Sequence, residues 1–198
     1  MAWLLTLLLA SAAPAAPPAP AARPLSPARQ MLDAFKAACS RTGSDLEPMK
    51  ADTIRAGWTA VADDSHPRLA RILKLGRDSV GPEAKMAGAS FSRVVGGRRI
   101  FLVHSRYEDG SGYWGAGCRL YDFEATRPLD PKLLEAWMGK PPTGVQEPAP
   151  GVSKRLWEPA GWSYGITVEA NHVPQNHSLG QQFGLSGNIL VAQAIGGF

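Results

Sequence analysis

The 198-residue chain has few cysteines, a modest share of charged residues and no long apolar run. Its two cysteines are too few for a disulfide-dense scaffold or for a zinc site built from four thiolates. Charged residues make up 19% and apolar residues 44% of the chain, a balance typical of globular domains and not of wholly disordered chains. The one apolar run is about half as long as a spanning helix, which needs about 20 residues, and this argues against a multi-span membrane protein.

The first residues have the pattern of an export signal. Ala2–Ala10 reads AWLLTLLLA, and the triplets Ala10-Ser11-Ala12 and Ala19-Pro20-Ala21 are small-residue cleavage sites. Residues 1–22 are therefore predicted to be a signal peptide, cleaved between 12 and 22, which directs the protein to the periplasm or outside the cell. The alternatives are an uncleaved N-terminal anchor or a different start of the chain. Residues 13–26, rich in alanine and proline, are predicted to form an extended tether.

Apolar residues at helical spacing predict that the folded part, residues 27–198, begins with helices. Ser26-Pro27 and Ser44-x-x-Glu47 are helix-start signals, and Gly57 is a stop signal. Helices are predicted over residues 27–40, from Ser44 to about Arg55, and from Ser65 to Gly76, with a fourth from Asp130-Pro131 to Gly139.

The apolar period changes from 3.6 to 2 after the third helix, which indicates strands. Three long strands are predicted at Met86–Val95, Arg98–Tyr107 and Tyr113–Phe123, and short ones at Val152–Trp157, Tyr164–Ala170 and Asn188–Ala194. Lys140–Gly151 is predicted to be a loop because of its prolines. The expected fold is α+β, a single domain with N-terminal helices packed on an antiparallel sheet and one helix inserted after the third strand.

Both cysteines fall on faces that the patterns direct inward. Cys39 lies on the apolar face of the first helix. Cys118 shares one face of the third strand with Trp114, Ala116 and Leu120. In an exported chain, two core-facing cysteines are best explained by one disulfide that ties helix to sheet. The alternatives are two buried free thiols, or a nucleophilic or redox-active cysteine in a chain that has no C-x-x-C motif.

The histidines His172 and His177 lie five residues apart in the segment NHVPQNHS. The intervening proline predicts a loop, so the helical spacing of metal-binding histidines does not apply. A loop could still bring both imidazoles together near Glu169 or Asn171, as a metal ligand set or as the centre of a small hydrolase. The alternative is a polar loop whose histidines are solvated.

Two surfaces are candidates for binding a partner. Arg68, Arg71 and Lys74 recur every three residues, and on a helix they would form an exposed basic stripe beside buried Leu69, Ile72 and Leu73. An anionic envelope surface or ligand would suit such a stripe, which could equally be a solvated helix face. Aromatic residues surround a predicted turn and could line a groove for a sugar or peptide, or belong to the core: Trp157, Trp162 and Tyr164.

Several short motifs occur together between residues 28 and 140. They are a helix ending in Cys39, Gly57-Trp58 after the second helix, Cys118 on a strand, and Leu133 with Trp137-Met138-Gly139. With the signal peptide, this combination resembles small secreted alphaproteobacterial proteins of unknown function. The resemblance implies export and a structural cysteine pair, and it carries no catalytic residue over to this chain.

Taken together, the patterns predict an exported, non-catalytic binding or envelope-associated module without a cofactor. The expected partner is an anionic envelope component or another exported protein. Nucleic acid is disfavoured by the export signal, and no membrane span is expected after signal cleavage. A small hydrolase or metal-dependent enzyme that uses the His172/His177 loop is the alternative.

Overall fold

A computed structural model of the protein describes residues 25–43, 45–81, 83–162 and 165–197. The predicted signal peptide and nearly all of the predicted tether lie outside these residues. The described elements, in chain order, are α1 Pro27–Cys39, α2 Leu46–Arg55, β1 Thr59–Val61, α3 Pro67–Asp78, β2 Lys85–Val95, β3 Arg98–Glu108, β4 Trp114–Asp122, α4 Pro131–Met138, β5 Gly144–Ala149, β6 Val152–Trp157, β7 Thr167–Val173, α5 Ser178–Phe183 and β8 Gly187–Gly196. None of the described helices is long and apolar enough to cross a membrane.

The eight strands form one antiparallel sheet in the order β1-β2-β3-β4-β8-β7-β6-β5. Hairpins connect β2 to β3 and β3 to β4, and the tight turn at Gly96-Gly97 has positive φ at both residues, a conformation that glycine adopts without a Cβ clash. The last strand, β8, pairs with β4 on one side and β7 on the other. The sheet is therefore two antiparallel blocks joined along β8.

The predicted α+β fold is confirmed, with helices first and α4 following β4, the strand predicted as the third. The sequence patterns missed β1 and α5, which are too short to show a period, and β5. The segment that contains β5 was predicted to be a loop because of prolines such as Pro148. Strand β5 lies at the sheet edge, where one side needs no hydrogen-bond partner and proline is tolerated, and its register shifts between Gln146 and Ala149.

Alternation along the strands gives the sheet two faces with different coverings. The face that carries Leu102, Cys118 and Leu120, called here the disulfide face, packs against α1, α2 and α4. Helix α1 supplies fully buried Leu32 and Phe35 to this core. Cys39 and Cys118 form a disulfide with Cα atoms 5.6 Å apart, which confirms the predicted bond.

The opposite face, called here the α3 face, has a smaller apolar core. Leu69 of α3 is fully buried against Phe101, Val103 and Tyr121 of the sheet. Helix α3 begins with the N-cap His66, whose Nδ1 accepts from the backbone N–H of Arg68, and it continues past Gly76, where the sequence predicted its end. Because the core on this side is small, part of the sheet under the second half of α3 is not filled by side chains.

Candidate functional site

Helix α3 and the sheet beneath it enclose a groove of about 400 Å³. Its floor includes Gly115 and Gly117 of β4. Because residues alternate between the two faces of a strand, these glycines lie on the α3 face and their neighbour Cys118 lies on the disulfide face. Glycines at alternate positions of a strand leave no side chain to fill the space above them. The groove therefore follows from the sequence WGAGC on the fourth strand.

The walls of the groove are mainly apolar. Ile72 and Leu73 of α3 form one wall, and Tyr107 of β3 lies beside the glycine floor. Met86 and Ile195 lie at the outer end of the groove and are 40% and 54% exposed. These two exposed apolar side chains continue the apolar lining onto the protein surface.

One charged side chain, Arg119, belongs to the groove lining. Its guanidinium folds back over Gly117 and takes the space that a side chain there would need. A Cβ at position 117 would lie only 2.4 Å from Arg119 Nη1. The same nitrogen donates a hydrogen bond of 2.9 Å to Ser105 Oγ. Within the described ranges, no Asp or Glu carboxylate lies within 4 Å of this guanidinium. The residue is half-buried, so its positive charge is partly removed from water.

Among the described residues, no anionic side chain compensates the charge of Arg119. Tyr121, the next residue on this face, is buried, and burial raises the pKa of its phenol, so it stays neutral; Arg119 acts in the opposite direction. Glu169 lies in the same row of the sheet two strands away, but its carboxylate pairs with Lys154 at 2.8 Å. The groove therefore combines an apolar body with one cationic end.

The arrangement is suited to binding a molecule. The described residues that line it include no histidine, cysteine, aspartate or glutamate. The hydroxyl of Ser105 has Arg119 as a neighbour and no base beside it. An apolar cleft with a few polar groups at defined positions is the usual form of a small-molecule site.

No protein-family model, curated protein or solved structure matches this chain. The groove and its residues are therefore the basis for assigning a function.

The predicted basic stripe is only partly exposed. Arg71 and Lys74 are exposed, as predicted. Arg68 is half-buried, which contradicts its predicted exposure, because its Nη1 donates to Phe123 O at 2.9 Å and to Ser186 Oγ at 2.7 Å. Arg68 thus anchors the start of α3 to the sheet and is not free for a surface partner. Ile72 and Leu73 are half-buried and line the groove.

The tryptophans predicted to line an aromatic groove lie in or against the core of the disulfide face. Trp157 is 0% exposed, and its Nε1 donates to Lys140 O at 3.1 Å. Trp162 packs edge-to-face on Phe35 and Trp137, with ring centroids 5.7 and 5.3 Å apart. Tyr164 lies outside the described residues. Trp157 is therefore a core residue. Its burial contradicts the prediction that it could line a binding groove at the surface.

The histidines of the alternative hypothesis are not brought together with Glu169. His172 is buried, with Nδ1 2.9 Å from Asn188 Oδ1, and it points to the disulfide face, whereas Glu169 points to the α3 face. His177 is the N-cap of α5, and its Nδ1 accepts from Leu179 N at 3.2 Å. Across the described part of the chain, no three His, Cys, Asp or Glu side chains are grouped so that they could hold a metal.

The glycine floor and Arg119, on which the character of the groove depends, were not predicted from the sequence. The available signal was a strand that contains Gly115 and Gly117, since glycine inside a strand marks a missing side chain or a close approach.

A larger depression of about 520 Å³ lies beside β5 and β6, but its two charged side chains, Glu147 and Arg155, pair with each other at 3.5 Å. The groove under α3 is therefore the stronger candidate for a ligand.

Proposed function

We propose that the protein is an exported, non-catalytic binding module that takes a small, mainly apolar molecule into the groove between α3 and the sheet. The observation that supports the proposal is the glycine floor. At Gly115 and Gly117 a central strand carries no side chains of its own, and a groove of about 400 Å³ remains between the helix and the strand, with the Arg119 guanidinium over its Gly117 end. This volume is within the range of about 300–1,000 Å³ that is typical of small-molecule sites.

The cysteine pair supports the part of the proposal that concerns export. Cys39 and Cys118 are bonded, and disulfides of this kind persist mainly in oxidising compartments outside the cytosol. The predicted signal peptide points to the same compartments. An anionic component of the cell envelope, one of the two kinds of partner expected from the sequence, would meet the protein there.

Filling the groove tests the binding function. In Gly115→Val, the new side chain would occupy the floor, and its Cβ meets only Ile195 Cγ2 at an ordinary 3.8 Å. We expect this variant to bind a neutral solvatochromic dye such as Nile red about tenfold more weakly than the parent, since overfilling a packed site costs on the order of 1–3 kcal/mol. Fluorescence titration measures the dye affinity.

Gly144→Val is the matched control, because Gly144 lies on the same face but on the edge strand β5, outside the groove. Its Cβ would also make only ordinary contacts, the nearest with Leu156 Cβ at 3.7 Å. The control should retain the dye affinity of the parent. Equal dye affinities in the parent and in Gly115→Val would show that the groove is not the binding site.

The export part of the proposal predicts where the mature chain begins. When the full chain is produced with its native first residues, the secreted or periplasmic protein should begin between Ala13 and Arg23, because both small-residue cleavage sites lie there. It should also contain no thiol that reacts with a thiol reagent under denaturing conditions. N-terminal sequencing and thiol titration measure these two properties. A folded protein that still begins at Met1 would overturn the signal-peptide prediction.

A further inference from the structure

We propose that the ligand of this groove is an amphiphile with one anionic head group, a straight-chain carboxylate, whose head binds Arg119 and whose chain lies along the glycine floor under α3. This inference rests on the proposed function, and it adds the chemical class of the ligand and its orientation. It depends on three features of the groove, namely an uncompensated cation, neutral hydrogen-bond groups beside that cation, and an apolar path that leads from it to the surface.

The cation is Arg119. A guanidinium carries five N–H donors, and a partly buried charge is stabilised when it is paired and hydrogen-bonded. Among the described residues, the hydrogen-bond partner of this side chain is the neutral Ser105 hydroxyl. A carboxylate is the planar anion that matches the guanidinium fork, with two parallel hydrogen bonds. An incoming head group would therefore supply the anion that the described residues do not.

Neutral polar groups flank the guanidinium. Ser105 of β3 and Gln193 of β8 are the register partners of Gly117 on its two sides, so each is one strand away, about 4.8 Å. The Ser105 oxygen accepts from Arg119, which leaves its own O–H available as a donor. The amide of Gln193 carries two further N–H donors. The oxygens of a carboxylate would thus meet donors from three adjacent strands.

The apolar path starts at this polar row and runs toward the open end of the groove. The next row on the same face contains Tyr107, Gly115 and Ile195, with Met86 on the far side of Tyr107. From the polar row at position 117 to position 115 the strand advances about 7 Å, so the groove holds the first methylenes of an acyl chain and the rest continues toward Met86 and Ile195 at the surface. Covering the exposed Met86 and Ile195 with the end of the chain would remove apolar surface from water.

Nearby carboxylates would not compete with the ligand for Arg119. Glu169, two strands away in the same row, pairs with Lys154 at 2.8 Å. On α3, Asp78 pairs with Lys74 at 2.5 Å. Both acidic side chains are thus already paired with cations other than Arg119.

Calorimetric titration of the mature protein with a series of carboxylates from hexanoate to dodecanoate, below their micelle concentrations, tests the inference. The affinity should rise about fourfold for each added methylene until the groove is filled, as expected for burial of a CH₂ group. Decanoate should bind at least tenfold more tightly than 1-decanol, and decylammonium should bind more weakly than either.

Arg119→Met keeps an unbranched apolar stem but removes the guanidinium and its charge, and it should abolish the preference for decanoate over 1-decanol. Arg99→Met is the matched control, because Arg99 lies on the neighbouring strand and on the same face but outside the groove. Gly117→Ala provides a second perturbation that retains the charge. Its Cβ would displace the guanidinium, so decanoate should bind more weakly while 1-decanol is unaffected.

The outcomes separate the two proposals. If decanoate and 1-decanol bind equally well and Gly115→Val weakens both, the groove is a binding site but the anionic ligand class is wrong. If neither compound binds to the parent, the proposed function falls together with the inference. A decanoate preference that survives in both Arg119→Met and Gly117→Ala would also overturn the inference, because the head group would then bind elsewhere.

Discussion

Replacing Cys39 and Cys118 together by alanine is expected to lower the free energy of unfolding by about 4–5 kcal/mol. The bond joins residues that are 79 positions apart, so its loss frees a long loop in the unfolded chain, which is the main origin of disulfide stabilisation in the chain-entropy model. It also ties α1 to the central strand β4 in the core of the disulfide face. Urea unfolding should show a lower midpoint, with a steeper denaturant slope because the unfolded chain without the cross-link exposes more surface.

Adding a reductant separates the effect of the covalent bond from that of the lost sulfur atoms. The reduced parent should unfold at nearly the same urea concentration as the double variant, and reductant should leave the double variant unchanged. If the oxidised and the reduced parent unfold at the same urea concentration, the bond contributes nothing to stability, contrary to this expectation.

Lowering the pH from 7 to 4 is expected to cost about 3 kcal/mol of stability through His104 alone. This residue is 0% exposed, with Nε2 2.6 Å from Thr53 Oγ1, and its Nδ1 has no hydrogen-bond partner among the described residues. Burial lowers the pKa of His104 to about 4, and the carboxylate of Asp52 only partly opposes this. The folded protein therefore holds the ring neutral at a pH where a free imidazole would be charged.

The direction of the effect follows from proton binding. The unfolded chain binds a proton at the ordinary histidine pKa of 6.5, whereas the folded chain does so at about 4. Above pH 6.5 the contribution to stability is fully present, and it is lost as the pH falls from 6.5 through 4, because the unfolded state then binds more protons. Thermal or urea unfolding at several pH values measures this loss.

Carboxylates also titrate in this range, so the parent should be compared with His104→Gln, whose side-chain amide can replace the imidazole as a hydrogen-bond partner of Thr53 but does not titrate. The stability difference between parent and variant should change by about 3 kcal/mol between pH 7 and pH 4. Parallel stability curves for the two proteins would show that His104 is not the buried neutral group described above.

Elements with strong local signals could be predicted closely from the sequence. Helix α1 begins after Ser26 with Pro27 in its first turn, and α4 ends at Gly139, whose φ is +74°, so caps and apolar period agree at both helices. Cys39 and Cys118 could be paired because a helical face and strand alternation each direct one of them inward. By contrast, β5 is held by its pairing with β6, a non-local interaction for which its own residues carry no strand pattern.

The groove could not be predicted, because its parts come from segments that are distant in sequence. Gly115 and Gly117 form a floor only where α3, about 40 residues earlier in the chain, crosses above them. The role of Arg68 depends on carbonyl and hydroxyl groups 55 and 118 residues away, so a local helical period assigned it to the surface. The uncompensated charge of Arg119 likewise depends on Glu169 being held by Lys154.

The position of β8 between β4 and β7 has a consequence for how the protein folds. Until residues 187–196 are in place, β1–β4 and β5–β7 are two separate antiparallel blocks, and β4 and β7 are open edges in addition to the outer edges β1 and β5. Pairing β8 with β4 joins positions such as Trp114 and Gly196, so the contacts that close the sheet have long sequence separations and form slowly. If the protein is exported as proposed, nearly the whole chain must cross the membrane before its sheet can close, and the edges of β4 and β7 are open to other chains in the interval.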